Sequence, residues 1–287
     1  MGRVLNLERI EQHSLSDQEF AYLCQLVHDS TGIVLTEQKR QMVYRRLMRR
    51  TRELKITSFS EYCKLLKKAD NEEMVNFINA ITTNLTSFFR EEHHFDFLRE
   101  SYFPKILSDN SKRLRCWSAG CSTGEEAYSL AITINDVFSS VMSSWDIKVL
   151  ATDLDTQVLE TACNGIYAEN RIEEIPESIK LKWFKPGSGE NEGLVKVKKD
   201  LRRLISFKQL NLLSLWPMRG QFDVIFCRNV MIYFDRDTQK KLIDRFCDLL
   251  PSGGFLMTGH SESCAKAVPY LHQCGRTIFQ KKHDRVL

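Results

Sequence analysis

The sequence has 287 residues, of which 43% are hydrophobic and 27% charged, and its net charge is +4. This balance is ordinary for a globular protein, and no apolar run approaches the roughly 18 residues that would indicate a membrane-spanning helix. The nine cysteines form no CxxC pair, which favours reduced thiols and a cytoplasmic location over a disulfide framework.

The first 80 residues are predicted to form an all-helical domain, 1–80. Ser16 and Glu19 form a capping box that begins a helix, and Gly32 is placed to end it. Further helix-start signals are Thr36, before a helix that runs through Leu54, and the pairs Ser58–Glu61 and Asp70–Glu73.

The positive charge is concentrated in one part of this helical domain. Residues 36–68 hold eleven Lys or Arg against three acids, a net +8, which leaves −4 for the rest of the chain. Such a local concentration indicates a docking surface for an acidic partner.

After residue 98 the pattern changes to β-prone runs that alternate with helical ones. The predicted strands are LRCWSAG, DIKVLATD, RLISFKQLN, FDVIFCRN, GGFLMTGHSE and RTIFQKK, and the predicted helices are GEEAYSLAITINDVF, DTQVLETACNGIY and TQKKLIDRFCDLL. This alternation predicts an α/β domain whose mostly parallel sheet is covered on both faces, with ligands bound beyond the carboxyl ends of the strands.

One segment, residues 181–203, interrupts the alternation. It contains three glycines, a proline and the alternating run LVKVK. These features predict a small antiparallel β insertion on the α/β domain.

The stretch LRCWSAGCSTGEEAYSLA predicts a strand, a loop with Gly120 and Gly124, and a helix that begins at Glu125 and Glu126. It lacks the Gly-Lys-Ser/Thr of a phosphate-binding loop. Two carboxylates in the first helical turn would repel a pyrophosphate, because that turn otherwise attracts anions. They suit a ligand with hydroxyls, an adenine and positive charge, such as S-adenosylmethionine. Alternatively, the two glutamates only stabilise the helix, by interacting with the positive end of its dipole.

Polar side chains follow four of the predicted strands. Asp153 is placed to accept hydrogen bonds from a ribose, whereas Asp155 is better placed as a helix N-cap. Asn211 and Asn229 end later strands, where each is a candidate ligand or a turn residue. The sequence shows no Ser-His-Asp spacing, no HExxH motif and no metal-type cluster of Cys and His, so no metal is expected.

With these residues in hand, the chain closely resembles the chemotaxis receptor methyltransferase (CheR) family from about residue 16 to about residue 280. The motifs that carry the resemblance are TTNLTSFFRE, WSAGCSTGEEAYS, ATDLDTQVLE, GSGENEGLVKVK, FDVIFCRNVMIYF and GHSES. The resemblance implies methyl transfer from S-adenosylmethionine to receptor glutamates, which gives glutamyl methyl esters and S-adenosylhomocysteine. It also implies a linker at 81–94 and a Rossmann-like methyltransferase domain at 95–287.

The resemblance assigns roles to individual positions. The implied cofactor-binding residues are Asn84, Thr86, Arg90, Gly120, Glu126, Asp153, Asn211, Leu212, Arg228 and Asn229. Arg90 and Tyr233 are implied to lie nearest the transferring methyl group, and are the candidate catalytic residues.

Two partner surfaces are also implied. The receptor-docking face on the second helix would consist of Arg45, Arg46, Arg49, Arg50 and Arg52. The β insertion would bind a C-terminal receptor tether by adding a strand, with the residues Gly187, Gly189, Gly193, Lys196 and Lys198. Lysine cannot form the bidentate fork with a carboxylate that arginine forms, which affects the strength of tether binding.

Three other functions share part of this pattern. A nucleic-acid methyltransferase could use the basic helix to grip phosphates, although stacking aromatics are sparse there. A catalytically silent adaptor would need a broken site, and a nicotinamide dehydrogenase is disfavoured by Glu125 and Glu126. We expect a monomer that binds receptors, and neither nucleic acid nor membrane insertion.

Overall fold

The computed structural model describes residues 14–68, 71–108, 111–262 and 268–282. The chain divides into two compact units, residues 1–83 with 233–235, and residues 84–232 with 236–287. None of the helices within the described residues combines the length and the hydropathy that crossing a bilayer requires.

The first unit is helical. Its elements are α1 (Asp17–Thr31), a 3-10 turn (Glu37–Lys39), α2 (Arg40–Glu53), α3 (Phe59–Lys68) and α4 (Asn71–Ile81). The predicted limits of α1 are confirmed, because Ser16 and Glu19 form a capping box and Gly32 ends the helix with φ at 74°. Thr36 precedes only the 3-10 turn and its side chain caps nothing. The predicted Asp70–Glu73 capping pair begins outside the described residues.

The core of the helical unit contains a polar network. Leu23 on α1 and Val43 and Leu47 on α2 are fully buried, and the spacing of the last two places them on one apolar face of α2. Beside them, Glu73 accepts hydrogen bonds from Tyr62 Oη at 2.8 Å and from Arg50 Nε at 3.1 Å. Glu73 is therefore a buried carboxylate with its partners supplied.

The second unit is built around a seven-stranded sheet. Its strands are β1 (Arg113–Ala119), β2 (Asp146–Asp153), β6 (Ile205–Gln209), β7 (Val224–Cys227), β8 (Phe255–Thr258), β9 (Leu271–Gly275) and β10 (Ile278–Lys281). The strand order is β6-β2-β1-β7-β8-β10-β9. The first five strands in this order are parallel, and β10 runs antiparallel to both of its neighbours. The predicted α/β class is confirmed, but β9 is missing from the predicted strands.

Helices connect and cover these strands. They are α5 (His93–Phe97), α6 (Phe103–Ile106), α7 (Glu125–Phe138), α8 (Thr156–Asn164), α9 (Glu177–Trp183), α10 (Lys199–Arg202) and α11 (Arg236–Asp248). A π-helical turn, Leu98–Tyr102, joins α5 to α6. Helix α7 is buried nearly all round, as its apolar composition predicts. The order of crossovers reverses between β1 and β7, which places the expected ligand crevice at the carboxyl ends of these strands.

A second, antiparallel sheet has the order β3-β5-β4, with β3 at Ile166–Ala168, β4 at Phe184–Pro186 and β5 at Leu194–Val197. Strands β4 and β5 lie within the predicted insertion, 181–203. Strand β3 lies before it, in residues whose sequence predicts the end of a helix. That helix instead ends at Asn164, because Gly165 adopts φ of 60° and turns the chain into β3.

Candidate functional site

The glycine loop follows β1 at the carboxyl edge of the large sheet. Gly120 has φ of 87°, and its amide and that of Cys121 donate to the Thr152 carbonyl oxygen at 2.8 and 2.9 Å. A Cβ on Gly120 would lie 2.3 Å from Val230 Cγ2. The loop therefore needs glycine both for its backbone conformation and for its close approach to the chain after β7.

The two glutamates at the start of α7 have different partners. Glu125 is fully buried, forms an ion pair with Arg171 and accepts a hydrogen bond from Thr123 Oγ1 at 2.6 Å. Glu126 accepts from Ser118 Oγ at 2.7 Å and faces Arg228 Nη1 at 3.3 Å. Both carboxylates have side-chain partners, so a role limited to the helix dipole does not describe them.

Arg228 lies between two buried carboxylates. Its side chain is 1% exposed, with Nη1 3.3 Å from Glu126 Oε2 and Nε 3.5 Å from Glu91 Oε2, and Nη2 donates to the Arg90 carbonyl oxygen. Within the described residues, Nε and Nη1 have no hydrogen-bond acceptor. Burial raises the pKa of Glu126, and the Arg228 charge opposes that rise.

Asp153, the last residue of β2, and Asp155 connect the glycine loop to the linker. Asp153 accepts hydrogen bonds from the amides of Ser122 at 2.8 Å and Asp155 at 3.0 Å, and burial raises its pKa. Asp155 caps α8 through the Gln157 amide, which confirms the N-cap prediction, and it also accepts from Asn84 Nδ2 at 2.7 Å.

The linker residues are held by backbone contacts. Ser122 Oγ donates to the Asn84 carbonyl oxygen at 2.9 Å, and Arg171 donates to that of Thr86 at 2.8 Å. Arg90 Nη1 donates to the Leu85 carbonyl oxygen at 2.8 Å. The structure thus places Asn84 against the glycine loop, and it shows the Arg90 guanidinium bound to its own segment.

Four non-glycine residues of this region have positive φ. They are Phe89 (51°), Glu91 (54°), Ser122 (50°) and Asn229 (59°). Left-handed backbone is costly for residues with a Cβ, and such strain is concentrated at binding and catalytic sites. The linker, the glycine loop and the segment after β7 all share this property.

The remaining cofactor candidates follow β6. Asn211 Oδ1 accepts a hydrogen bond from the Leu213 amide at 2.9 Å. The Leu212 carbonyl oxygen accepts from Arg245 Nη1 at 2.6 Å and from Trp216 Nε1 at 3.0 Å. Asn211 therefore stabilises a turn beyond β6.

Tyr233 belongs to the helical unit, where its carbonyl oxygen accepts a hydrogen bond from the Val34 amide at 2.8 Å.

The five arginines of α2 differ in their partners and in their exposure. Arg46 donates to the carbonyl oxygens of Ile81 at 2.5 Å and Thr82 at 2.6 Å, and Arg50 is paired with Glu73 in the core network. The exposed arginines are Arg45, Arg49 and Arg52.

The tether candidates are distributed over the small sheet. Lys196 is exposed on β5, the middle strand, and Lys198 Nζ donates to the Leu181 carbonyl oxygen at 2.8 Å. Gly187 approaches Asn191 closely. The left-handed glycines of this region are Gly189 and Gly193, both of which have open space beside their Cα atoms.

Two residues that could suggest other chemistry are buried. Burial lowers the pKa of His94 to about 2, and it raises the pKa of the Cys121 thiol well above its usual value. His94 is therefore neutral and Cys121 is an unreactive thiol. Among the described residues, no group of three or more His, Cys, Asp or Glu side chains could hold a metal ion.

Comparison with known proteins agrees with this geometry. The model of the CheR methyltransferase all-alpha domain matches residues 18–82, and that of the CheR methyltransferase SAM-binding domain matches residues 84–279. The chain belongs to the CheR methyltransferase family. It therefore carries an S-adenosylmethionine-binding methyltransferase domain, and the nicotinamide dehydrogenase considered from the sequence is excluded.

Several relatives are similar over nearly the whole chain. The chemotaxis protein methyltransferase of Salmonella typhimurium is 42% identical, covering 97% of this chain and 95% of that protein. The Escherichia coli chemotaxis protein methyltransferase is also 42% identical, with coverages of 98% and 96%. Chemotaxis protein methyltransferase 2 of Pseudomonas aeruginosa is 42% identical, with coverages of 91% and 92%.

The site of this CheR-family chain fits S-adenosylmethionine, which carries a carboxylate, an ammonium, a sulfonium and ribose hydroxyls. The buried guanidinium of Arg228 suits the carboxylate, because within the described residues its Nε and Nη1 form ion pairs with Glu91 and Glu126 but no hydrogen bonds. The buried carboxylates of Glu126 and Asp153 suit positively charged groups and hydroxyls.

Three residues of this region are absent from the candidates that the sequence indicates. They are Glu91, Arg171 and Glu262, whose carboxylate accepts a hydrogen bond from the Asn229 amide at 3.0 Å. Glu262 lies in the GHSES motif and Glu91 in TTNLTSFFRE, so their motifs were a signal that was available. Arg171 lies in no motif, and its contacts with Thr86 and Glu125 appear only in the fold.

Proposed function

We propose that this protein methylates the side-chain carboxylates of specific glutamates in the cytoplasmic helices of chemotaxis receptors, with S-adenosylmethionine as methyl donor. The products would be glutamyl methyl esters and S-adenosylhomocysteine. The observation that carries the proposal is the buried Glu126–Arg228–Glu91 cluster at the carboxyl edge of the sheet, because it offers groups of both signs to the charges of a cationic amino-acid nucleoside.

Within the site, each side chain has a proposed role. Arg228 binds the methionyl carboxylate, Glu126 the positively charged end, and Asp153 the ribose. The other proposed cofactor contacts are Asn84, Thr86, Gly120, Asn211, Leu212 and Asn229.

The chemistry needs no general base from the protein. S-adenosylmethionine supplies a methyl group on a positively charged sulfur, which departs as a neutral thioether. The acceptor glutamate is ionised at pH 7, so its oxygen can form the new C–O bond without first losing a proton. Alignment of the two reactants is what remains for the enzyme, and orientation can contribute roughly 7–11 kcal/mol.

Arg90 is the proposed group that orients the acceptor carboxylate, with Tyr233 as the second catalytic residue. The support for Arg90 is that, among the residues the structure describes, its Nη1 donates to the carbonyl oxygen of the exposed Leu85. An acceptor carboxylate can take the place of that oxygen as a stronger, charge-assisted partner. An Arg90→Ala variant is therefore expected to lose methyl transfer while retaining cofactor binding.

Receptor docking is assigned to the helical domain. The exposed arginines of α2 suit the acidic helices of a receptor, whereas Arg46 and Arg50 are engaged within their own unit. Docking through Arg45, Arg49 and Arg52 would weaken as salt rises, because exposed charges are screened.

The small sheet is the proposed tether site. Strands β3 and β4 form its edges, where a peptide could add by β-augmentation, and Lys196 on β5 supplies an exposed positive charge. Because Lys198 is bound to Leu181 and neither lysine forms a bidentate fork, we expect weak tether binding.

We further propose that the protein is a cytoplasmic monomer, that it is recruited to receptor arrays and that it binds no nucleic acid.

The test uses methyl-labelled S-adenosylmethionine, the purified protein and a receptor cytoplasmic fragment. Label that alkali releases as volatile methanol identifies carboxyl methyl esters and supports the proposal. Label that resists alkali, or label that enters RNA or DNA offered in place of the receptor, overturns it. Cofactor binding without any transfer would instead indicate a silent adaptor.

A further inference from the structure

None of the proposed cofactor contacts involves the GHSES motif. Its Glu262 carboxylate is buried, however, and accepts hydrogen bonds from five backbone amides. Glu262 Oε1 accepts from the amides of Val230 at 2.9 Å, Met231 at 2.7 Å and Ile232 at 3.3 Å. Glu262 Oε2 accepts from the amides of Asn229 at 3.0 Å and Gly259 at 2.5 Å. The residue is 3% exposed, so water does not compete for these donors.

Four of the five donors are consecutive and belong to the segment after β7, residues 229–232. Consecutive amides that converge on one anion form a nest, a concave backbone arrangement that is ordinarily seen around bound anions. Here the anion is a side chain of the same protein. An ionised carboxylate suits the arrangement because it only accepts hydrogen bonds, whereas an amide or a protonated acid would direct an N–H or O–H at a donor.

The nest fixes residues that face the cofactor site. Asn229 has φ of 59°, a conformation that needs local support. Val230 Cγ2 would be 2.3 Å from a Cβ on Gly120, so this segment also sets the position of the glycine loop. One carboxylate thereby holds two parts of the candidate cofactor site in register.

Glu262 is itself firmly held. The Glu262 amide donates to the Gly259 carbonyl oxygen at 2.9 Å, and the Glu262 carbonyl oxygen accepts a hydrogen bond from Thr258 Oγ1 at 3.2 Å. A Cβ on Gly259 would lie 2.9 Å from the Asn229 nitrogen and 2.8 Å from Glu262 Oε2. The turn after β8 therefore brings the Glu262 carboxylate to the nest, and it leaves no room for a side chain at position 259.

We infer that Glu262 is a positioning residue for methyl transfer, whose buried carboxylate holds the 229–232 segment and the glycine loop where the cofactor binds. This inference rests on the proposed role of Asn229 and Gly120 in cofactor binding. Because Glu262 would act through the backbone and contact neither reactant, its removal is expected to weaken cofactor affinity more than it slows turnover at saturating cofactor.

The test compares Glu262→Gln with Asp223→Asn. Asp223 precedes the opposite end of β7 and accepts a hydrogen bond from the Arg115 amide at 2.7 Å, so it is a matched carboxylate away from the site. Calorimetric titration with S-adenosylhomocysteine should show Kd at least tenfold higher for Glu262→Gln and within twofold of wild type for Asp223→Asn. The kcat at saturating S-adenosylmethionine should fall less than KM rises, and Glu262→Asp, which keeps the charge, should recover part of the affinity.

Two outcomes overturn the inference. One is a folded Glu262→Gln protein whose Kd stays within twofold of wild type. The other is an equal rise in Kd for Asp223→Asn at an equal drop in Tm, which would make the effect one of general stability.

Two further variants keep the test decisive. If Glu262→Gln does not fold, Gly259→Ala displaces the same segment, and an unchanged Kd in that variant also overturns the inference. Asn229→Ala separates the two proposals, because an unchanged Kd there removes the proposed cofactor role of Asn229, whereas a raised Kd with no effect at Glu262 removes only the positioning role.

Discussion

Arg228 offers the sharpest test of the electrostatics at the sheet edge. Its guanidinium is 1% exposed, and the carboxylates of Glu126 and Glu91 beside it are 12% and 7% exposed. Replacing it with methionine preserves most of the volume and leaves both carboxylates buried without the guanidinium. Breaking a buried ion pair from one side costs about 3–5 kcal/mol, so the free energy of unfolding of the α/β unit should fall by about that amount at pH 7.5.

The loss should depend on pH with a defined sign. Burial already raises the pKa of Glu126 and Arg228 opposes that rise, so Arg228→Met raises this pKa further. A carboxyl group whose folded pKa exceeds its unfolded value contributes stability below the unfolded pKa and loses it as pH rises through the folded pKa. The penalty should therefore shrink on going from pH 7.5 to pH 5.5, by about 1.4 kcal/mol for each unit of added pKa shift in that window.

Urea unfolding followed by tryptophan fluorescence measures the relevant unit, because all four tryptophans lie between residues 117 and 216. Arg245→Met is the matched control. The Arg245 guanidinium donates to the carbonyl oxygens of Leu212 and Ser214, each at 2.6 Å, rather than to carboxylates. Its penalty should be the same at both pH values. A loss below about 1 kcal/mol for Arg228→Met, or a loss that is independent of pH, would refute the reasoning.

Three other outcomes are expected. Gly120→Ala should raise the Kd for S-adenosylhomocysteine at least tenfold in calorimetry, whereas Gly253→Ala, with φ of 85° but no close contact, should not; equal Kd values would contradict the steric argument. Arg49→Glu should raise the receptor KM in a methylation assay at low salt, with the difference vanishing as ionic strength rises, and a salt-independent effect would exclude electrostatic docking. In native protein, iodoacetamide should modify the exposed Cys163 and spare the buried Cys121, as peptide mass spectrometry can show; equal rates would mean that the loop opens.

Much of the fold follows from local patterns. The Ser16 capping box and the left-handed Gly32 are properties of adjacent residues, so the limits of α1 could be predicted. The alternation of strands and helices likewise predicts a parallel sheet, because each crossover returns the chain to the same edge. Strand β3 could not be predicted in this way. It has three residues, and its pairing partner β5 lies almost thirty residues further along the chain.

The candidate site shows the same division. The location of Glu126 and Asp153 could be predicted, because Asp153 ends a parallel strand and Glu126 begins the helix after another, and the carboxyl ends of these strands meet at one edge of the sheet. What each side chain binds could not be found, since Arg46 and Arg49 are three positions apart on one helix and yet one is bound to carbonyl oxygens and the other is exposed. Partners of this kind depend on packing between distant segments, which spacing along the chain does not encode.

Arg171 has a consequence for how this enzyme can be altered. It lies in the 3-10 turn that follows β3, donates to the Thr86 carbonyl oxygen and pairs with the fully buried Glu125. The segment that follows β3 is therefore bound both to the linker and to the start of α7, and the small sheet cannot be removed without breaking these contacts. A shortened enzyme that lacked the chain after α8 would leave the Glu125 carboxylate buried without its ion-pair partner and would remove a hydrogen bond from the linker. Any exchange of the small sheet between relatives must therefore keep this arginine.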